Sequence, residues 1–279
     1  MARIIGGIGS SHAPSIAHAY DKGWHTDPEW KPLFDGYAPA KQWLAQMKPD
    51  VMVIFYNDHL NRFFFDAYPT FAIGVGARHA LADEGWGLRN FPAFDGAPDL
   101  AWHMTKSLIE QEFDITVCQE IEIDHGILSP LPMLTDTHWP APIIPIPVNV
   151  IQHPLPTTRR CYKLGQAVRR AVESFPQDLK VMVLGTGGLS HQIHGKRFGF
   201  INPEWDHEFM TRLVEDPASL TELSHDELMR RGGVESVEMI IWLAMRGALS
   251  AQVKQAHQAY YAPSLTGYGL LALEDLGTH

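Results

Sequence analysis

The chain has 279 residues, 45% of them hydrophobic, which suffices for a sizeable core and lies near the upper limit of what one α/β domain usually holds. Twenty-two Lys and Arg stand against 32 Asp and Glu, a formal charge of −10, and no basic run tracks phosphates, so nucleic acid and anionic membranes are poor partners. Cys118 and Cys161 form no C-x-x-C pair, and no signal core or membrane-length apolar stretch is seen, so a cytoplasmic protein without disulfides is expected.

In chain order, short apolar runs bounded by Gly, Pro or Asp alternate with segments whose apolar residues recur every three or four positions. Residues 4–7 read as a first buried strand, followed by a long Trp-, Pro- and Gly-rich connection over 19–37 and a helix over 38–47. Strands at 51–56 and 71–75 precede a second long connection at 83–98 and a helix at 98–111. Strands at 115–118, 143–150 and 181–185, with helices at 159–175, 206–215 and 236–249, complete the pattern. Alternation of this kind predicts an α/β sandwich, with a single domain spanning 1–279. The Pro-rich stretch at 142–156 does not divide it.

Fifteen histidines are many for this length, so position must decide which of them matter. His12, in Ser10-Ser11-His12-Ala13-Pro14, leaves the carboxyl end of the first strand, the usual ligand edge of an α/β sheet. Taken alone it is more simply a loop histidine bonded to a carbonyl. His59, in Tyr56-Asn57-Asp58-His59, ends the strongest strand and reaches the same edge, with Asp58 a candidate to orient it or to cap a turn. Glu238 opens an otherwise apolar helix, where a favourable charge at a helix N-terminus is the simpler account. Two imidazoles and one carboxylate on one face would make a non-haem Fe(II) site, although spacing alone does not select Glu238. His191 follows a strand and the glycines Gly185, Gly187 and Gly188, which give a ligand close access. His194, three residues on, is assigned no metal role.

The residues around these positions resemble a known family, as do Ala82-Asp83-Glu84-Gly85-Trp86-Gly87, Ile123-Asp124-His125-Gly126 and Gly185-Thr186-Gly187-Gly188-Leu189-Ser190-His191-Gln192. That family is the catalytic subunits of protocatechuate 4,5-dioxygenases and gallate dioxygenases, the class III extradiol enzymes, and the likeness covers essentially the whole chain. The resemblance implies a single-domain mixed-sheet α/β sandwich, with Fe(II) held by His12, His59 and Glu238, His191 as acid/base and His125 touching a substrate hydroxyl or oxygen. It further implies substrate contacts at Ala13, Ser264 and Thr266, with Asn57, Asp124 and Thr186 in support. The partners it implies are a carboxylated catechol, O₂ and a small α subunit covering the site. In gallate-type members a fused C-terminal region does that covering, and a chain ending at His279 is expected to lack it.

Fe(II) would bridge a catechol and O₂ electronically, and an imidazole suits proton transfer near neutral pH. Protocatechuate 4,5-cleavage is the leading expectation, with gallate or 3-O-methylgallate as alternatives. Leu265 and Thr266 stand where the protocatechuate pattern has Asn after Ser, and residues 4–7, 151–154 and 191–195 are gallate-like, whereas the short C-terminus is of the two-subunit type. A zinc hydrolase uses a similar ligand set and is the second class of reading; a non-catalytic relative is the third.

Overall fold

The computed structural model describes residues 1–277, leaving Thr278 and His279 of the expected 1–279 domain outside the described residues. The first half runs β1 (Arg3–Ser10), α1 (Pro14–Asp21), α2 (Lys31–Met47), β2 (Val51–Tyr56), β3 (Ala72–Gly74), β4 (Arg78–His79), β5 (Phe94–Asp95), α3 (Pro98–Glu110) and β6 (Thr116–Cys118). Then come α4 (His125–Leu128), α5 (Pro130–Thr135), β7 (Ile143–Pro147), α6 (Thr158–Glu173) and β8 (Lys180–Thr186). The last third holds α7 (Pro203–Glu215), α8 (Pro217–Leu220), α9 (His225–Gly232), α10 (Met239–Ala248), β9 (Val253–Tyr261) and β10 (Tyr268–Asp275).

The central sheet has six strands in the order β7-β2-β8-β1-β10-β9. The first four are parallel, whereas β10 and β9 are antiparallel additions, so the sheet is mixed, as the family resemblance implies. β2 shows why the parallel part is buried on both faces: Val51, Val53 and Phe55 enter one core with α3, α6, α7 and α10, while Met52, Ile54 and Tyr56 enter a second core with α2 and α5. The result is a sheet between two helical layers.

Several predicted bounds move. The stretch 19–37 is not one long connection, because α2 begins at Lys31, with Pro32 in its first turn, and passes through Pro39. Strands at 71–75 and 115–118 exist but pair with each other outside the central sheet. β9 and β10 were not predicted. β9 is a polar edge strand carrying Lys254, Gln255, His257 and Gln258, whose composition hides its role; β10 is buried and bonded on both sides. Both cysteines are free and buried, and no helix among the described residues is long and apolar enough to cross a membrane.

Two features of this sheet position the site. Register places Ser10 of β1 beside Thr186 of β8, and Phe55 of β2 beside Gly185, so three neighbouring strands end together at their carboxyl edge. α10 then lies very close on β1 and β8, since a Cβ on Gly9 would come within 2.3 Å of the Trp242 ring and one on Gly185 within 2.9 Å of the Ile241 carbonyl.

One buried histidine lies away from that edge. His79 on β4 accepts the Ile121 N–H at Nδ1, 3.2 Å, and its Nε2 has no partner. Burial lowers this imidazole from its ordinary 6.5 to about 4. Between those values the unfolded chain takes up a proton that the folded chain refuses, so stability falls as pH drops through that window. Chelator-treated protein is expected to lose about 2 kcal/mol from His79 between pH 7.5 and pH 5. In His79→Asn, urea unfolding at the two pH values should differ by that much less than in the parent chain; equal differences would refute this account.

Candidate functional site

The common edge gathers the predicted residues. His12 follows β1 directly, His59 follows β2, the segment 187–191 follows β8, and Glu238 stands at the junction between the 3-10 turn Val234–Glu238 and α10. Trp242 ties α10 down by donating its indole N–H to the Gly187 carbonyl at 2.9 Å. Gly188 then donates its backbone N–H to Glu238 Oε2 at 2.5 Å. A Cβ at Gly188 would meet His191 Cε1 at 2.4 Å and Glu238 Oε2 at 3.0 Å, so only glycine lets this strand-end segment pass between them.

Candidate ligand atoms of His12, His59 and Glu238 all lie within 4.8 Å of one another, and His12 Nε2 is 3.2 Å from Glu238 Oε2. The other nitrogen of each ring is occupied. His12 Nδ1 is 3.2 Å from the Thr186 hydroxyl, and His59 Nδ1 is 3.1 Å from Asp124 Oδ2. Asn57 also touches His59, its amide nitrogen 2.9 Å from Nε2. Nitrogen and oxygen donors without thiolate, each imidazole held from behind, suit a divalent first-row cation. A second cluster, His59, Asp124 and His125, is equally compact. There, however, Asp124 Oδ2 already accepts from the His59 N–H, His59 Nδ1 and the Asn61 amide, which favours the first cluster as the metal set.

Asp124 therefore orients His59, and Asp58, the sequence neighbour, does not: its carboxylate accepts the backbone N–H groups of Arg62 and Phe63 at 2.9 and 3.0 Å and caps a turn. Burial pushes the Asp58 carboxyl up. Burial works the same way on Asp124 and Glu238, yet the neighbouring histidines outweigh it and hold both carboxyls well below the ordinary range. Burial lowers His12, whereas for His59 the Asp124 carboxylate overcomes burial and raises the ring.

Two further rings complete the cluster. His125 stacks on His59 with centroids 3.7 Å apart and lies 5.8 Å from His12. Its Nδ1 is 2.5 Å from Glu84 Oε1. His191 donates Nδ1–H to the Leu189 carbonyl at 2.8 Å and turns Nε2 toward Glu238 Oε2, 3.9 Å away. Thr266 is buried and bridges to His191 through the backbone, Ala13 is half-buried, and Ser264 is exposed, so of the expected substrate contacts only Thr266 lies against a catalytic candidate. His194 points away and pairs with Glu235 at 2.6 Å. Sequence reading assigned no part to Glu84, nor to Asp206, a buried carboxylate that accepts Ser190 N–H and Oγ–H at 2.8 and 2.6 Å behind His191.

A cavity of about 820 Å³ lies between α1 and the segment 84–91 and reaches His125 and Glu84, though not His12, His59 or Glu238. His125 is the point at which cavity and ligand cluster meet.

Residues 6–271 match the family described as the catalytic LigB subunit of aromatic ring-opening dioxygenase. The chain belongs to that family. It is 51% identical over 197 residues to a gallate dioxygenase of Pseudomonas putida KT2440, a match covering 70% of this chain and 58% of that protein. The chain thus spans little more than half of that relative. A 2,3-dihydroxyphenylpropionate/2,3-dihydroxicinnamic acid 1,2-dioxygenase of Azotobacter vinelandii is 30% identical over 275 residues, covering 81% of this chain and 86% of that one. Among solved structures, an uncharacterized protein of Escherichia coli K12 shares the fold with a TM-score of 0.53 at 13% identity, covering 97% and 99% of the two chains. The two curated relatives are named dioxygenases, and this LigB-family chain is an enzyme of the extradiol ring-cleaving kind.

Removing the sole carboxylate of the ligand set should abolish tight cation binding. Calorimetric titration of anaerobic protein with Co(II) is expected to show Glu238→Ala weakened on the order of a hundred-fold or more, and Asp124→Asn weakened about ten-fold through its hold on His59. Undiminished Co(II) affinity in Glu238→Ala would remove it from the set.

Proposed function

We propose that this LigB-family chain holds Fe(II) through His12, His59 and Glu238 and opens the ring of a carboxylated catechol with O₂, gallate or a close relative of it ahead of protocatechuate. The observation that carries the reading is the convergence of two imidazoles and one carboxylate at a single sheet edge, faced by two further imidazoles whose Nδ1 atoms are already engaged. The preference for gallate rests on the 51% identity to a gallate dioxygenase and replaces protocatechuate as the first choice. It also agrees with Leu265 and Thr266 standing where a protocatechuate-type chain has Asn.

In this reading Fe(II) supplies an electronic bridge between catechol and O₂, which otherwise react slowly because O₂ is a triplet. The protein supplies placement and protons. With Nδ1–H fixed on the Leu189 carbonyl, the free Nε2 of His191 can take a proton from a substrate hydroxyl brought beside Glu238, and later return it. His125 contacts a substrate hydroxyl or oxygen from the cavity side. Thr266, held against His191, offers a hydroxyl and backbone groups to the substrate carboxylate, with the exposed Ser264 and the half-buried Ala13 beside His12 as further contacts. Thr186 supports His12 from behind, whereas the Asn57 amide, 2.9 Å from His59 Nε2, must yield that nitrogen when the metal binds.

A covering partner is part of the proposal. Phe64 and Phe65 after His59, Trp86 and Leu88 after Glu84, and Ile193 and Phe198 after His191 are large apolar side chains exposed on the loops that leave the site. A small α subunit seated on them would exclude water from the ring-opening step. A zinc hydrolase shares the donor set and is separated from this reading by its indifference to O₂.

Anaerobic protein reconstituted with Fe(II), then given gallate, 3-O-methylgallate or protocatechuate with and without a small subunit, is expected to consume O₂ fastest with gallate. Zn(II)-loaded protein should consume none. His191→Phe should keep its Fe(II) while kcat falls about a hundred-fold or more. Loss of iron in that variant would place His191 among the ligands, and O₂-independent hydrolysis by the zinc form would favour the hydrolase.

A further inference from the structure

We propose that Glu84 is a positioning residue that dictates which ring nitrogen of His125 carries the proton, and so which hydrogen-bonding face His125 turns to the substrate. The inference rests on the proposed role of His125 at the substrate.

The segment carrying Glu84 is built to stay in place. Ala82 donates its N–H to the Ile123 carbonyl at 2.9 Å, which ties it to the strand-like approach to α4. Asp83 Oδ1 accepts the N–H groups of Gly85 and Gly87 at 2.9 and 3.0 Å. Both glycines have positive φ, 90° and 87°, a conformation other residues adopt at a cost. Glu84 is thereby presented to His125, and both side chains are mostly buried, 15% and 16% exposed.

The two oxygens of Glu84 are then used separately. Oε2 accepts the backbone N–H of His125 at 2.9 Å, and Oε1 lies 2.5 Å from ring Nδ1. A carboxylate only accepts, so Nδ1 must carry hydrogen, and in the neutral ring Nε2 is left as an acceptor. Turning the ring about its Cβ–Cγ bond would put Cδ2 where Nδ1 stands and lose the contact with Glu84, so the same bond that fixes the proton also fixes the ring's orientation. The arrangement parallels other carboxylate–histidine pairs in which the acid fixes a catalytic tautomer.

Glu84→Gln tests this with almost no change in volume. A glutamine has one acceptor oxygen where Glu84 uses two. The backbone N–H of His125 cannot change its character, so the amide oxygen goes to it, and the amide NH₂ then faces Nδ1. Only the ring can adapt, by moving its proton to Nε2. His125 would then offer substrate a donor in place of an acceptor.

The experiment compares parent, Glu84→Gln and Glu84→Asp proteins. ¹⁵N-histidine NMR of the diamagnetic Zn(II)-loaded form reads the His125 tautomer, assigned by its loss in His125→Asn. Steady-state O₂ uptake of the Fe(II) form with gallate reads kcat and KM. In Glu84→Gln the His125 nitrogen pattern is expected to invert, and kcat to fall about a hundred-fold, with KM and Zn(II) affinity within about two-fold of the parent. Glu84→Asp, which keeps two accepting oxygens, should restore the parent tautomer and much of kcat. An unchanged tautomer in Glu84→Gln overturns the proposal, whether or not kcat or thermal stability falls. Should the parent protein itself consume no O₂ with any catechol, the dioxygenase reading fails on its own, while the nitrogen spectrum still decides the part played by Glu84.

Discussion

The close seating of α10 on β1 and β8 is the constraint from which the site follows. Parallel strands deliver residues to their carboxyl edge, and that accounts for His12, His59 and the segment leading to His191. A carboxylate from a helix far along the chain reaches the same point only if the helix axis comes near the sheet. Gly9 and Gly185 remove the side chains that would hold it off, the indole of Trp242 fills the space beside them, and its N–H fastens the Gly187 carbonyl. A methyl group at Gly9 would push on Trp242 and carry the start of α10, with Glu238, away from His12. Packing and chemistry are here the same contact.

That seating concentrates charge in a region with little water, and the surrounding groups answer it. Glu238 and Asp124 are both largely removed from solvent, which alone would favour their neutral forms. Each instead faces imidazoles and backbone N–H groups: Gly188 for Glu238, and His59 and Gly126 for Asp124. The imidazoles above all keep the carboxylates ionised before any cation arrives, so binding need not first expel a proton from them.

Much of this was legible in the sequence, and what was not has physical reasons. β2 declares itself by a six-residue apolar run ending in Asn57-Asp58-His59, and the glycines before His191 mark a ligand-facing turn. Glu238 was reachable only through resemblance, because its partners lie more than two hundred and about fifty residues away and no local period encodes the convergence. Asp58 was the natural candidate to orient His59 by adjacency, but a residue next in sequence points its side chain elsewhere, and Asp124, from a loop across the sheet edge, has the reach. Glu84, within Ala82-Asp83-Glu84-Gly85-Trp86-Gly87, carries no role that the sequence can suggest, since its partner His125 comes beside it only in the fold. β9 escaped because an edge strand with one solvated face has no apolar signature to read.

The four histidines of the cluster all have Nδ1 held by the protein, and Nε2 of His12 and of His191 turns toward Glu238. The anchors differ in kind. His59 and His125 lean on carboxylates, Asp124 and Glu84, whereas His12 and His191 lean on a hydroxyl and a carbonyl, Thr186 and Leu189. A carboxylate behind an imidazole both orients it and makes it a stronger base, as suits a ring that must hold a cation or face a substrate in one tautomer. A carbonyl orients without adding charge, leaving the ring free to gain a proton at Nε2 and lose it again. The neutral anchor thus falls on His191, the ring proposed to exchange protons, and a charged one on His125, the ring proposed to keep its proton where it is. The two proposed metal ligands use one anchor of each kind, so it is at the two substrate-facing rings, His125 and His191, that the kind of anchor follows the proposed work.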